Sequence, residues 1–254
     1  MGRFHRHDDG TVHSHDHDHT GHAHDVGDHS GYATGRERIT VLEDIFTEND
    51  HRAADNRAAF DEHGVTCINL MSSPGAGKTT LLERTLTAGQ GKVRFGVVEG
   101  DIETSIDADR LTDLGAQISL LNTGDGFGGE CHLDAPMVSQ ALKGLNLAEL
   151  DIVFIENVGN LVCPAEFEVG EHRKAMVASV TEGEDKPLKY PVMFRAVEAV
   201  VVNKIDLLPY LDFDVDLFLS NVRQVNPDAR IFLMSTKTGE GFDAWMDWVL
   251  QQND

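Results

Sequence analysis

The stretch Val65–Thr79 (VTCINLMSSPGAGKT) constrains this chain more than any other. An apolar run rich in strand formers, Val65–Met71, meets a Ser/Pro/Gly turn and then a helix-forming run near Lys78–Thr87. A strand that feeds a glycine loop at a helix start presents free backbone N–H groups to an anion, with the helix dipole behind them. Here Gly75, Ala76 and Gly77 would wrap the phosphates, with Thr80 beside them at the helix start. The Lys78 ammonium would reach the β- and γ-phosphates, and the Thr79 hydroxyl would bind Mg²⁺. The pattern departs from GxxxxGK[ST] at its first position, Ser72, but Gly75 and Gly77 still supply the turn and the close approach.

The rest of the chain repeats the strand–helix alternation. Strands are expected at Val93–Val98, Gln117–Leu121, Ile152–Ile155, Met176–Val180, Ala199–Val202 and Arg230–Met234, with helical stretches between most of them. A helix with Ile39, Leu42, Ile45, Phe46 and Phe60 at helical spacing precedes the first strand and stops before Gly64. The chain closes on Phe242–Leu250, with Trp245, Trp248 and Val249 on one face. Short apolar strands alternating with helices predict an α/β fold, a doubly wound, mainly parallel sheet covered on both faces. We expect one domain over residues 36–254 behind a disordered tail, 1–35.

That tail holds nine of the 13 histidines and cannot build a core. His13, His15, His17, His19, His22 and His24 form an irregular ladder interleaved with Asp16 and Asp18. Neutral imidazoles on a flexible chain suit nickel, copper or zinc. An expression tag or a merely solvated tail are the plainer readings.

The net charge is −22, which argues against binding nucleic acid, because such affinity comes from Lys and Arg on phosphates. No window approaches the ~18 apolar residues of a membrane span, so no membrane association is expected. Three cysteines are too few for a disulfide scaffold, and a cytoplasmic setting is expected.

Three further segments point to a guanine nucleotide. Asn203-Lys204-Ile205-Asp206 follows an apolar run about 125 residues after Lys78. The Asp206 carboxylate would accept from the guanine N1–H and 2-amino group, Asn203 would contact the base edge, and the Lys204 stem would lie along the ring. Ser235-Thr236-Lys237 fits a last base-contacting loop or a plain loop, with Ser235 and Lys237 as the candidate contacts. In Asp151–Asn160 (DIVFIENVGN) a strand delivers Glu156 to its carboxyl end for Mg²⁺, and the Gly159 N–H would meet the γ-phosphate as nucleotide switches do. Asp101, after another strand, would hold Mg²⁺ or position the attacking water, unless it and Asp107 are solvated or capping groups.

Cys131-His132 follows a glycine-rich stretch, and Cys163 lies seven residues after Glu156. Two thiolates and an imidazole suit Zn²⁺ or Ni²⁺ and leave a position open. Cys67 reads as a core residue, and His51, His63 and His172 read as surface residues.

Together SSPGAGKT, EGD, Cys131-His132, ENVGNLVCPA and NKID resemble the HypB family, the hydrogenase nickel-insertion GTPases, over about residues 37–254. The resemblance implies a P-loop NTPase fold of the SIMIBI type and a GTPase of low intrinsic rate that dimerises with nucleotide. It implies Lys78, Thr79, Asp101 and Glu156 as phosphate and Mg²⁺ residues, and Cys131, His132 and Cys163 as Ni/Zn ligands at a dimer interface. A hydrogenase large-subunit precursor and other maturation factors would be the partners, and the His tail would store nickel. No cysteine precedes Cys67, so the N-terminal Cys-rich nickel motif of some members is absent. The rivals are urease and cobalamin-enzyme GTPase chaperones, or a nickel storage protein with a vestigial nucleotide site.

Overall fold

The computed structural model describes residues 5–6, 12–13, 35–100, 111, 113–121 and 132–251, with side chains from residue 46 onward. The chain separates into two units, Met1–Leu42 and Glu43–Asp254. In the first, β1 (His5–Arg6) and β2 (Val12–His13) pair antiparallel, His5 opposite His13. The long helix α1 runs over Gly35–His63. It ends where Gly64 takes a φ of 65°. Gly64 N donates to Asp61 O at 3.1 Å and Val65 N to Phe60 O at 3.0 Å, the paired bonds of a left-handed helix stop that glycine adopts without a Cβ penalty.

The next elements are β3 (Thr66–Ser72), α2 (Lys78–Gly89), β4 (Phe95–Glu99), β5 (Gln117–Leu120), α3 (Ala135–Leu142), β6 (Ile152–Glu156) and β7 (Arg173–Ser179). Then come α4 (Lys186–Lys189), α5 (Pro191–Ala196), β8 (Ala199–Asn203), α6 (Val215–Val225), β9 (Arg230–Leu233) and α7 (Phe242–Val249). Seven strands form one sheet in the order β5-β4-β6-β3-β7-β8-β9, and every pairing is parallel. The strand carrying the phosphate loop is therefore central. Ile68, Leu70, Val97, Phe154, Val177 and Val201 pack with Leu81, Trp245 and Trp248 on one face. Cys67, Val98, Val153 and Ile155 pack with Phe60 and Val138 on the other, continued by Met71, Met176, Val200 and Phe218. Both faces are covered, which is why the strands read as unbroken apolar runs. Each such fully buried side chain contributes about 1.5–3 kcal/mol.

The doubly wound α/β expectation holds. One strand starts earlier than its sequence indicates, because β7 begins at Arg173 and not Met176. Charged residues hide its start: the Arg173 guanidinium lies 3.7 Å over the Trp248 ring and donates to Trp248 O at 2.6 Å. Burial lowers the Arg173 pKa, against the pull of Glu198. His172 is a correction too, since it is not a free surface residue: its Nδ1 accepts from Cys67 N at 3.0 Å and its Nε2 meets Asp61 at 2.8 Å.

At the opposite end of the sheet from the phosphate loop, Arg94 grips Asp151, its Nε at 3.1 Å and its backbone N at 2.8 Å from the same oxygen. The Arg94 hydrogen bond holds the Asp151 pKa below the usual carboxylate value. A depressed folded-state pKa stabilises above the unfolded value, near 3.9, and the contribution is lost as pH falls through the folded value. Asp151→Asn should therefore lower the urea midpoint at pH 7 by only about 0.3 M, because the pair is half exposed. The difference should vanish in strong acid; equal midpoints at pH 7 would show that the pair contributes nothing.

Candidate functional site

The site forms where β3, β6 and β8 end. Gly77 caps α2 with a φ of 100°, and a Cβ there would run into the Asn203 amide nitrogen. Only glycine allows that approach. It leaves Lys78, 5% exposed, aimed at the end of β6. Lys78 Nζ donates to Asn157 O at 2.5 Å and lies 3.4 Å from Glu156 Oε1. The Thr79 hydroxyl donates to the same Glu156 oxygen at 2.6 Å. Gly159 packs against the loop from the β6 side, its Cβ position 3.3 Å from Pro74 Cα. Behind the loop, the Ser73 hydroxyl donates to Glu182, which pairs with Lys186 at 3.0 Å. Thr80 is exposed at the first turn of α2.

Glu156 is fully buried, and its Oε2 has no hydrogen-bond partner among the described residues. An orphaned carboxylate oxygen in such a place is costly unless a cation joins it. The threonine hydroxyl and carboxylate are hard oxygen donors of the kind Mg²⁺ takes, so the residues present fit that ion. Asp101 and Asp107 lie outside the described residues.

On the base side, Asn203 is buried and bonded through both side-chain atoms. Its Nδ2 donates to Ala76 O at 3.0 Å, and its Oδ1 accepts from Thr236 N at 3.0 Å. It braces the phosphate loop against the loop after β9. Lys204 is the only non-glycine described residue at positive φ, 64°, and that turn sends its ammonium across to Gly75 O at 2.6 Å. Asp206 Oδ1 accepts from the Ser235 hydroxyl at 2.6 Å, and Ser235 Oγ also accepts from Thr238 N. Ser235 is thus a buried support under Asp206, while Lys237 is exposed at the rim. Arg84 of α2 donates to Thr236 O at 3.1 Å and steadies the same loop.

The second expected site is partly visible. Cys131 lies outside the described residues, as do His15, His17, His19, His22 and His24. Only the backbone of His13 is described, within β2. His132 is half-buried, and its ring centroid stands 4.3 Å from that of Phe167. Cys163 is half-buried and opens a single 3₁₀ turn, Cys163–Ala165, four residues before Phe167. No cluster of three potential metal ligands occurs among the described residues. Cys67 is a buried free thiol whose pKa burial pushes well up, which suits a core residue.

No sequence motif marks the supports beneath His132 and Cys163. Asn49 of α1 accepts from Ala135 N at 2.9 Å and donates to Glu168 O at 2.9 Å. Asn56 donates to Ala135 O and Val169 O, both at 3.0 Å. Phe46 stacks on Phe167 at 5.2 Å. One helix therefore holds the segment after His132 and the segment after Cys163. Asn157 was also overlooked, although a polar residue directly after an apolar strand was its available signal.

The sequence profile of the CobW/HypB/UreG nucleotide-binding domain matches residues 66–233. Hydrogenase maturation factor HypB of Escherichia coli K12 is 47% identical over 234 residues, covering 92% of this chain and 79% of that protein. The crystal structure of HypB from Archaeoglobus fulgidus aligns with a TM-score of 0.74 at 38% identity, over 80% of this chain and 97% of that one. HypB from Helicobacter pylori, solved in complex with nickel, aligns at 0.72 and 38% identity, over 80% and 94%. The urease and cobalamin alternatives give way to these matches: the chain belongs to the HypB hydrogenase maturation factors of the CobW/HypB/UreG family.

Proposed function

We propose that this chain is a GTP-hydrolysing nickel metallochaperone that delivers nickel to a hydrogenase large-subunit precursor. The observation that carries the reading is the convergence of Lys78 and Thr79 on Glu156, at the head of the segment that runs on to Cys163. Phosphate arriving in the loop meets the backbone N–H groups of residues 75–79 and draws Lys78 toward the β- and γ-oxygens. Thr79 and Glu156, with Asp101, would hold Mg²⁺, which neutralises charge on the transferring phosphoryl group. Gly159 stands against the loop, where its N–H would bond the γ-phosphate. Asp206, held by Ser235, selects guanine, with the Lys204 ammonium on Gly75 of the phosphate loop, its stem lying along the ring, and Asn203 keeping both loops in register. Water attacks the γ-phosphate in a site whose preorganised donors stabilise the transition state. The sequence offers no obvious arginine finger or glutamine, so a second copy or a partner would complete it, and the intrinsic rate is low.

Nickel is the cargo, held by Cys131, His132 and Cys163, with zinc as the other ion this donor set accepts. The H. pylori relative crystallised with nickel supports this. His13, His15, His17, His19, His22 and His24 would buffer nickel in residues 1–35. A GTP-promoted homodimer fits the exposed apolar side chains Leu188, Val192, Tyr210, Leu211 and Leu217, because α4, α5 and α6 pack on one another.

Asp206→Asn should weaken GTP binding by about 10- to 100-fold and leave ATP binding nearly unchanged, read by competition against a fluorescent nucleotide. Parallel losses for both would remove the guanine assignment. Cys163→Ala should weaken and shift the nickel–thiolate charge-transfer band, leaving only the Cys131 contribution, and weaken nickel binding at least about tenfold; an unchanged band would remove Cys163 from the site. Turnover of the isolated chain should be on the order of 10⁻³ per second, and rapid hydrolysis by the monomer would contradict a site completed by a second copy or a partner.

A further inference from the structure

Asn157 joins the phosphate loop to the metal-ligand segment through a single buried residue. Its backbone N donates to Leu70 O at 3.1 Å and so extends the β3–β6 ladder beyond Glu156. Its backbone O accepts the Lys78 ammonium. Its side-chain Oδ1 accepts two backbone N–H groups, Leu133 N at 3.1 Å and Val158 N at 3.0 Å. Its Nδ2 donates to Asn69 Oδ1 at 3.4 Å, and Asn69 is itself held by Glu171 at 3.1 Å. Asn157 is 1% exposed and Leu133 is fully buried. Leu133 directly follows His132, and its side chain lies against Gly100 at the end of β4.

From this geometry we infer that Asn157 is the positioning residue that transmits nucleotide state to the His132 ligand. The inference rests on the proposed nickel and nucleotide sites. The Lys78 ammonium has three N–H donors, and two turned to a β,γ-phosphate pair leave one for Asn157 O and Glu156 Oε1 to share. When phosphate takes the ammonium, a buried carbonyl loses a charge-assisted bond, and such a group must find a new partner. The 157–158 peptide turns to do so. That turn presents the Val158 and Gly159 N–H groups to the nucleotide and moves Oδ1 relative to Leu133 N. The amide of the residue after His132 then loosens or shifts, and the imidazole moves with it. Asparagine suits the role because one carboxamide both accepts two N–H groups and donates to Asn69. Leucine would fill the space and carry no signal.

The test uses the full chain and saturating Mg·GDP or Mg·GTP analogue. Nickel is titrated through its thiolate charge-transfer band, which the imidazoles of the tail do not produce. The amide exchange of Leu133 is followed in parallel. The wild type should show nickel affinities that differ at least about fivefold between nucleotides, and Asn157→Ala should bring the ratio within about twofold. Leu133 exchange in the wild type should differ between nucleotides by a similar factor. That arm needs no variant and stands even where Asn157→Ala folds poorly. Equal coupling in wild type and variant, with nucleotide-independent Leu133 exchange, overturns the inference and leaves the metallochaperone reading intact. Nickel affinity that ignores nucleotide in the wild type overturns the inference, whereas a chain that shows no nickel–thiolate band in any nucleotide state removes the metallochaperone reading itself. A Leu133 amide unresponsive to nucleotide in the wild type overturns the relay in either case.

Discussion

Glu156 is a carboxylate with no exposure, approached on one oxygen by a hydroxyl and an ammonium and with no hydrogen-bond partner among the described residues on the other. A buried negative charge so incompletely met is expensive for a fold to hold. It is tolerable where a cation is expected to arrive. The rest of the site is arranged to keep Glu156 in that position. Glu156 ends β6, which is hydrogen-bonded to β3 on one side and β4 on the other, so its backbone is fixed in the middle of the sheet. The phosphate loop leaves β3 beside it, and the parallel register puts both strand ends on the same rim.

The two ends of the nucleotide site are joined to one another through protein. Asn203 uses both atoms of its carboxamide, on Ala76 and Thr236, and Asp206 is buttressed by Ser235. The phosphate loop and the base loops are thus a single hydrogen-bonded unit that nucleotide enters already organised. Preorganisation of this kind lowers the entropy lost on binding. The segments of His132 and Cys163, the proposed nickel ligands, are held differently. Asn49 and Asn56 tie both to α1, and the ring stack Phe46–Phe167–His132 supplies packing in place of a rigid strand. A ligand supported by rings and by one buried amide can shift more readily than a strand end can.

The sheet was legible in the sequence because parallel strands buried on both faces are continuous apolar runs. Where a strand begins with residues such as Arg173 and Lys174, the apolar rule fails: Arg173 is sheltered by Trp248, and Lys174 is neutralised by Glu168 and Glu171. The phosphate loop, Glu156 and NKID were legible because their chemistry fixes residue type at fixed spacing. Asn49, Asn56, Asn157 and Phe167 were not, because a support is chosen by three-dimensional neighbours distant in the chain, 79 positions in the Asn56–Ala135 bond and 119 in the Asn49–Glu168 bond. His172 read as surface for the same reason, its partners being Cys67 and Asp61.

The central claim is that nickel and guanine nucleotide bind one coupled system. Coupling free energy is reciprocal, so whatever nucleotide does to nickel affinity nickel must do to nucleotide affinity. The most direct measurement is the dissociation constant of a Mg·GTP analogue and of Mg·GDP for the full chain, each with and without saturating nickel. The account predicts that nickel changes the ratio of the two constants at least about fivefold and that Cys163→Ala abolishes the change. A ratio unaffected by nickel would contradict it and leave a nucleotide site and a metal site that share a chain but no energy.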